Sequence, residues 1–336
     1  MTMAKLDIIV THYDEDWEIG KKFFDMLALQ HGIDFRDFRV ILMHDGTGVY
    51  PKKFFDGYPY EVIQKSIRHA GVSAARNKGM QIAEAPWICF CDFDDMFSGI
   101  YSLRNVLSAL PEEGYDILWT EFYSEDRKKT GELVLHLRKE NSVFIHGKYF
   151  RRAFLAEHDL WFPEDQIFNE DSCFCTIAFA IADYRRVGHI VADAPIYAWV
   201  FRPGSITATQ ENRAKALVGL YERNKKVVDA FRKYVVRERY LTMVCRASFD
   251  AYHMLNVKEL PEELVPILED FRKTWPEWKA DFLACPAELR KEAMRASRKE
   301  REHGDMEEIE RWGKSGGMEL DRTKKFADWI REIEGK

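Results

Sequence analysis

Before about residue 210 the apolar residues fall in short continuous runs; after it they recur at three-to-four spacing. Leu6–Val10 is such a run, and Thr11–Asp16 after it is polar. Trp17, Gly20, Phe23, Phe24 and Leu27 then hold a helical period, so the opening reads strand, loop, helix. A second strand, Phe38–Met43, runs into the Gly-rich turn His44-Asp45-Gly46-Thr47-Gly48. A helix over Val72–Ala85 leads through Pro86 to a third strand, Trp87–Cys91, which stops at Asp92-Phe93-Asp94-Asp95. Strands alternating with helices predict an α/β sheet covered on both faces. Tyr115–Thr120, Glu132–Leu137 and Ser142–Ile145 follow at closer spacing, which predicts hairpin-like additions and a mixed second half of the sheet. Beyond 210, Leu217, Leu220, Tyr221, Val227, Val228, Phe231, Tyr234 and Val235 predict helix; Pro261 and Pro266 punctuate it, and Gly313, Gly316 and Gly317 interrupt a charged tail. The expected division is therefore 1–210 and 211–336.

Composition agrees with a soluble globular chain: of 336 residues, 46% are hydrophobic, 32% charged and 14% aromatic. The formal net charge of −6 excludes a polycation that binds nucleic acid indiscriminately, so any basic surface is local. The first residues lack the apolar core of a secretory signal, and no apolar run approaches the ~20 residues of a membrane helix, so a cytoplasmic location is expected. Six cysteines include two C-x-C pairs in apolar stretches, a spacing that predicts buried free thiols rather than a zinc site.

The acids Asp92, Asp94 and Asp95 close an apolar strand, where a hard cation such as Mg²⁺ or Mn²⁺ would relieve their gathered charge and leave positions open for phosphates. An acidic turn capping the next helix is the competing reading. Asp45 fits a tight turn equally well, and Arg76 reads either as a phosphate or base ligand or as a salt bridge. Glu170-Asp171 precedes an apolar helix, Ser172–Ala182, where carboxylates either cap or project into a site; Glu164-Asp165 is a second acidic pair nearby. Arg202, with Ser205 and Thr207, follows the apolar Ile196–Phe201 and could form a phosphate loop or an ordinary Pro-Gly turn. His146 and Lys148 are expected at the start of a helix, and no histidine is assigned to a metal. From 212 to 246, ten Lys or Arg stand against three acids. That stretch reads first as a solvated helix face and second as a surface for an acidic partner.

In order, DIIVTHYDED, VILMHDGTG, GVSAARNKGM, WICFCDFDDMF, GKYFRRAFLAEHDLWFPED, FNEDSCF and YAWVFRPGSIT resemble the family 2 glycosyltransferases over about residues 5–210. The resemblance implies a GT-A fold, a Rossmann-type mixed sheet flanked by helices, followed here by a helical C-terminal region that could shape the acceptor site. It implies that Thr11, Tyr13 and Asp45 line the nucleotide base and that Arg76 assists. Asp92 and Asp94 become the D-x-D pair, Asp92 toward ribose or metal-bound water and Asp94 on the metal, with Asp95 a substitute ligand. Asp171 matches the catalytic base. His44 and Thr47 depart from the common Asp-Asp-Gly-Ser turn, which bears on the choice of base.

The expectation is a metal-dependent inverting hexosyltransferase using Mn²⁺ or Mg²⁺ and a nucleotide-diphosphate sugar, with UDP favoured. The acceptor is open among glycan, lipid-linked glycan, protein and modified nucleic acid. Two rivals share the acids: a haloacid-dehalogenase-like phosphatase and a sugar-nucleotide-binding scaffold without catalysis. The phosphatase fits poorly, because Met96 stands where its motif has Thr or Val and because the acidic strand does not open the chain.

Overall fold

Continuous apolar runs became strands buried on both faces. In the computed structural model, which describes residues 4–111, 113–128, 130–139, 143–202, 213–303 and 325–335 (backbone alone at 213 and 298–303), the chain forms two units, Met1–Ala208 and Thr209–Lys336. The first runs β1 (Leu6–His12), α1 (Trp17–Ala28), β2 (Phe38–Asp45), β3 (Glu61–Ile67), α2 (Val72–Ile82), β4 (Trp87–Asp92), β5 (Met96–Phe97) and α3 (Ser102–Ala109). It continues with β6 (Ile117–Trp119), β7 (Phe122–Arg127), β8 (Leu133–Arg138), β9 (Lys148–Arg151), α4 (Arg152–Glu157), α5 (Glu170–Ile181), β10 (Val187–His189) and β11 (Tyr197–Trp199).

The large sheet has the order β10-β6-β9-β4-β1-β2-β3, parallel throughout except β9, which is antiparallel to both β4 and β6. Side-chain alternation divides β1 between two cores. Leu6, Ile8 and Val10 pack with Phe23, Phe24 and Leu27 of α1, whereas Ile9 packs with Ala75 and Met80 of α2 and Phe174 and Ala178 of α5. Asp16 starts α1 by accepting the Glu18 N–H at 3.1 Å, a standard N-cap. Helix α1 approaches the sheet closely through Gly20, where a Cβ would meet the Phe93 ring at 2.1 Å. A smaller sheet, β5-β11-β7-β8, joins the β7–β8 hairpin to the chain end of the unit.

Several expectations need correction. Val143–Ile145 bends instead of forming a strand, and Lys148 opens β9, not a helix. Tyr149 and Phe150 are buried on successive sides of that strand, which lies inside the sheet; the helix begins only at Arg152. Strand β3 was not anticipated because it is an edge, and its polar Gln64, Lys65 and Ser66 break the apolar pattern. The tail glycines 313, 316 and 317 lie outside the described residues.

The second unit is helical: α6 (Arg213–Tyr234), α7 (Arg237–Leu255), α8 (Val265–Ala284), α9 (Ala287–His303) and α10 (Phe326–Ile333). Its core is aromatic, with Phe249, Phe271, Trp275, Phe282, Phe326 and Trp329 in mutual ring contact. The basic stretch 212–246 is two helices, separated where Val236 turns extended at the start of α7. Within the unit Lys225 pairs with Asp270 at 2.6 Å and Arg232 with Glu277 at 2.7 Å, so part of the local positive charge is matched internally.

Candidate active site

In a parallel sheet, loops leave the carboxyl ends of the strands, and ligands gather where the strand order reverses. Here that place is between β1 and β4, where Thr11 stands beside Asp92 in register. The polar segments after β1, β2 and β4 therefore converge.

Asp92 is held from two sides: Arg76 Nη2 donates to its Oδ1 at 2.9 Å, and the Thr11 side chain bonds it as well. Burial by itself would raise the Asp92 pKa, but the Arg76 charge outweighs it and keeps the carboxyl below the usual range. Asp94 turns to Arg202, whose Nε lies 2.6 Å from Oδ2; burial and the charge of Asp92 nevertheless push it up. Asp95 is fully buried, with Oδ2 accepting from the Tyr197 hydroxyl at 2.6 Å and Oδ1 from the Val200 N–H at 2.8 Å. Burial first, then Asp92 and Asp94, drive its pKa well upward.

A histidine joins these acids. His146, in the turn before β9, puts Nδ1 3.7 Å from Asp95 Oδ2, and ligand atoms of Asp92, Asp95 and His146 lie within 4.8 Å of one another. That Nδ1 is buried without a hydrogen-bond partner, and burial pulls the ring down to about 4, so it is a neutral imidazole with a nitrogen to offer. Carboxylate and imidazole donors suit a divalent ion such as Mn²⁺, so the residues present fit a metal. Asp94 is outside this cluster and faces Arg202. The pattern of the sequence places His146 at a helix start and not at a metal, because roughly fifty positions separate it from the acids and only the antiparallel return of β9 closes the gap.

Toward the base, Tyr13 is half exposed and its ring stacks on His69 at 4.7 Å. Asp45 is buried and occupied with structure: it accepts from the N–H groups of Ala70 and Gly71 at 2.7 and 2.9 Å and contacts His69 Nδ1 at 3.0 Å. Gly46 (φ +83°) lets the turn pass within 2.6 Å of His69 Cβ, measured from where its own Cβ would stand. The departure at His44 has a structural reason. The Tyr50 backbone fixes the Gln64 amide, receiving and giving bonds of 3.1 and 3.0 Å. Gln64 Oε1 thus accepts from His44 Nε2 at 3.0 Å. Burial pulls His44 down to about 4, so the ring is neutral, and its Nδ1 lies 3.0 Å from His12 Nδ1. This pair ties the ends of β1 and β2 together.

Arg76 also reaches the second acidic segment, donating from Nη1 to Glu170 Oε1 at 2.9 Å. Glu170 and Asp171 form the first turn of α5, after Asn169 in a left-handed conformation (φ 61°). Burial, and then the neighbouring Asp171 charge, push Glu170 up to about 7; burial likewise raises Asp171, against the pull of Arg76 and a 2.6 Å bond from the Ser172 N–H. Buried Lys148 adds positive charge facing Asp171, and its ammonium bonds the Phe144 carbonyl. The other acidic pair differs: Glu164 accepts from Asn77 at 2.9 Å and braces the loop before α5.

Arg202 bridges Asp94 to Glu15, whose Oε1 is 3.3 Å from Nη2. Glu15 in turn accepts the Tyr13 N–H at 3.0 Å and was not singled out in the sequence. Ser205 and Thr207 lie outside the described residues. In the second unit, Arg239 and Arg246 line a groove of about 460 Å³ with Phe231, Met243 and Leu289. No described helix is long and apolar enough to cross a membrane.

A parallel sheet with one reversed strand, flanked by helices and bearing acids at the end of its fourth strand, has the arrangement of the GT-A fold. The family "Glycosyl transferase family 2" matches residues 7–168, just under half of the chain, and this segment is similar to the family 2 glycosyltransferases. The uncharacterized glycosyltransferase EpsJ of Bacillus subtilis (strain 168) is 27% identical over 193 residues, 51% of this chain and 55% of that protein. The minor teichoic acid biosynthesis protein GgaB of the same organism is 32% identical over 89 residues, 25% of this chain and 10% of GgaB. The chain thus spans about half of EpsJ and a tenth of GgaB. Among solved structures, S. aureus TarS 1–349 superimposes with a TM-score of 0.61 at 18% identity, covering 89% of this chain and 92% of that one. TarS 1–349 in complex with UDP-GlcNAc gives 0.61 at 17% identity over 89% and 92% of the two chains.

Proposed function

We propose that the chain transfers a sugar from a UDP-sugar to an acceptor hydroxyl, with inversion at the anomeric carbon. The observation that carries this reading is the Arg76 bridge, which holds the strand-end acid Asp92 and the Glu170-Asp171 turn to one guanidinium. Tyr13 offers an exposed ring to the base, and Arg202 supplies a guanidinium for the diphosphate once it leaves Asp94. A divalent cation held by Asp92, Asp95 and His146, with Asp94 a further ligand once Arg202 releases it, would neutralise charge growing on the departing diphosphate. As the acceptor oxygen bonds the anomeric carbon, the bond from that carbon to the diphosphate oxygen breaks and the acceptor proton passes to Asp171. A carboxylate whose pKa is raised by burial suits that role. The binding of UDP and UDP-GlcNAc by TarS supports the uridine donor. Soluble expression in the cytoplasm and an acidic partner for the 212–246 helices belong to the same proposal.

Thermal stability with UDP, tested with Mn²⁺ or Mg²⁺ and again after chelation, decides the donor and metal together. UDP at a hundredfold excess over its dissociation constant should add about 2.7 kcal/mol, and only with the cation. Equal stabilisation after chelation overturns the metal assignment, and turnover of phosphomonoesters in preference to nucleotide sugars overturns the transferase. A preference for GDP or dTDP changes only the base.

A further inference from the structure

Strand β8 is an edge, and its open side carries leucines. It pairs with β7 on one side, and among the described residues no strand pairs with the other. The turn before it sets which backbone groups face outward. Lys128 N–H donates to Glu132 C=O and Gly131 N–H to Lys128 C=O, both at 2.8 Å, with Gly131 at φ +87°. This is a three-residue hairpin closed by a glycine bulge, so Lys128 and Glu132 form a hydrogen-bonded pair. Bonded and non-bonded pairs alternate along an antiparallel ladder. Val134, His136 and Arg138 therefore bond inward to Asp126, Ser124 and Phe122, whereas Leu133, Leu135 and Leu137 direct N–H and C=O to the open edge. The same three leucines are 50%, 59% and 42% exposed. The β3 edge of the large sheet is blunted by Glu61 and Lys65, the usual protection against edge pairing, but β8, the edge of the smaller sheet, has none at its centre.

We propose that β8 is the seam of a symmetric dimer, pairing antiparallel with β8 of a second copy about a two-fold axis through Leu135. That register satisfies three requirements at once. It sets Leu135 against Leu135 and Leu133 against Leu137 of the second copy, all as hydrogen-bonded pairs, which the outward backbone groups demand. The leucines lie on one face and meet across the seam. Glu132 falls opposite Arg138 of the second copy, twice by symmetry, so the charges at both ends of the strand are complementary. Sliding the copies by one residue each way abolishes the hydrogen bonds, and sliding by two takes Glu132 away from Arg138 of the second copy.

Sedimentation of the full chain across concentration tests the seam, with Leu135→Arg and Glu132→Arg as disrupting variants. A dimer is expected, with its dissociation constant raised about tenfold or more by Leu135→Arg. Glu132→Arg should weaken it and the Glu132→Arg/Arg138→Glu double variant restore it, which a misfolded variant cannot do. Register is read by cysteine pairing: Leu135→Cys should give a disulfide-linked dimer on mild oxidation, because residues in such a pair have Cα atoms about 5.5 Å apart. Leu133→Cys alone should not, but Leu133→Cys/Leu137→Cys should. A monomer at all concentrations, a dimer indifferent to Leu135→Arg, or equal cross-linking at 133 and 135 overturns the proposal. So does a monomer that sediments with anionic phospholipid vesicles through the same leucines.

Discussion

Arg76 Nη1 and Glu170 Oε1 lie 2.9 Å apart across 94 positions of sequence, and the same guanidinium holds Asp92 at 2.9 Å through its other terminal nitrogen. One buried cation thus offsets charge on two acidic segments, with Phe162 beneath it at 5.2 Å. Removing one member of such a buried arrangement leaves uncompensated charge. Arg76→Gln should cost about 3–5 kcal/mol in urea denaturation. Arg76→Lys should recover only part of this, because an ammonium cannot reproduce the planar fork. Equal stability of the Lys variant and the wild type would show that the bridge is dispensable.

Asp171→Asn keeps the shape and removes the basic oxygen. Transfer should fall about 10²–10⁴-fold, with UDP and metal affinity nearly unchanged. Asp165→Asn is the control and should be mild. If the 165 variant is inactive and the 171 variant transfers normally, the base has been misassigned. If both lose nucleotide binding in step with transfer, the segment is a clamp on the donor.

Glu170 links activity and stability to pH. Its folded pKa is raised from 4.5 to about 7, so the native state binds this proton more tightly than the unfolded chain does. The associated stability is full below 4.5 and is lost as pH rises through about 7. Glu170→Gln lacks that dependence, so its stability relative to wild type should improve across the same window. Removing the adjacent negative charge should also move the acid limb of kcat/KM to lower pH. Parallel stability curves for the two proteins would contradict the assigned shift.

Arg202 now stands where Asp94 needs positive charge. Arg202→Gln should therefore have opposite effects on two ligands: Mn²⁺ alone should bind more tightly to the freed Asp94, and UDP with Mn²⁺ more weakly for want of a phosphate ligand. Calorimetric titration of each separates the two. A common direction would show that Arg202 serves Asp94 or the nucleotide but not both in turn.

The parts visible in the sequence were those with local causes. Strands β1, β2 and β4 are apolar on both faces and cannot be mistaken for amphipathic helix, and the acids after β4 are contiguous. What escaped was set by distant packing. Nothing within Lys148–Arg151 announces a strand, because a lysine and an arginine flank two aromatics; its place between β4 and β6 decides the matter. His146 and Glu15 reach the acids through loops whose paths depend on that placement. The position of Asp45 was readable from its glycines, but its bonds to the 69–71 backbone were not.

The near contact of Gly20 with the Phe93 ring has a consequence for descent. The middle residue of Asp92-Phe93-Asp94 is backed by a helix that has no room for a methyl group, so the two positions form one unit of variation. Among diverging copies of this chain, a large ring at 93 obliges glycine at 20, and any side chain at 20 must arrive together with a smaller residue at 93. The size of the residue between the two acids is in this way inherited with a residue more than seventy positions upstream.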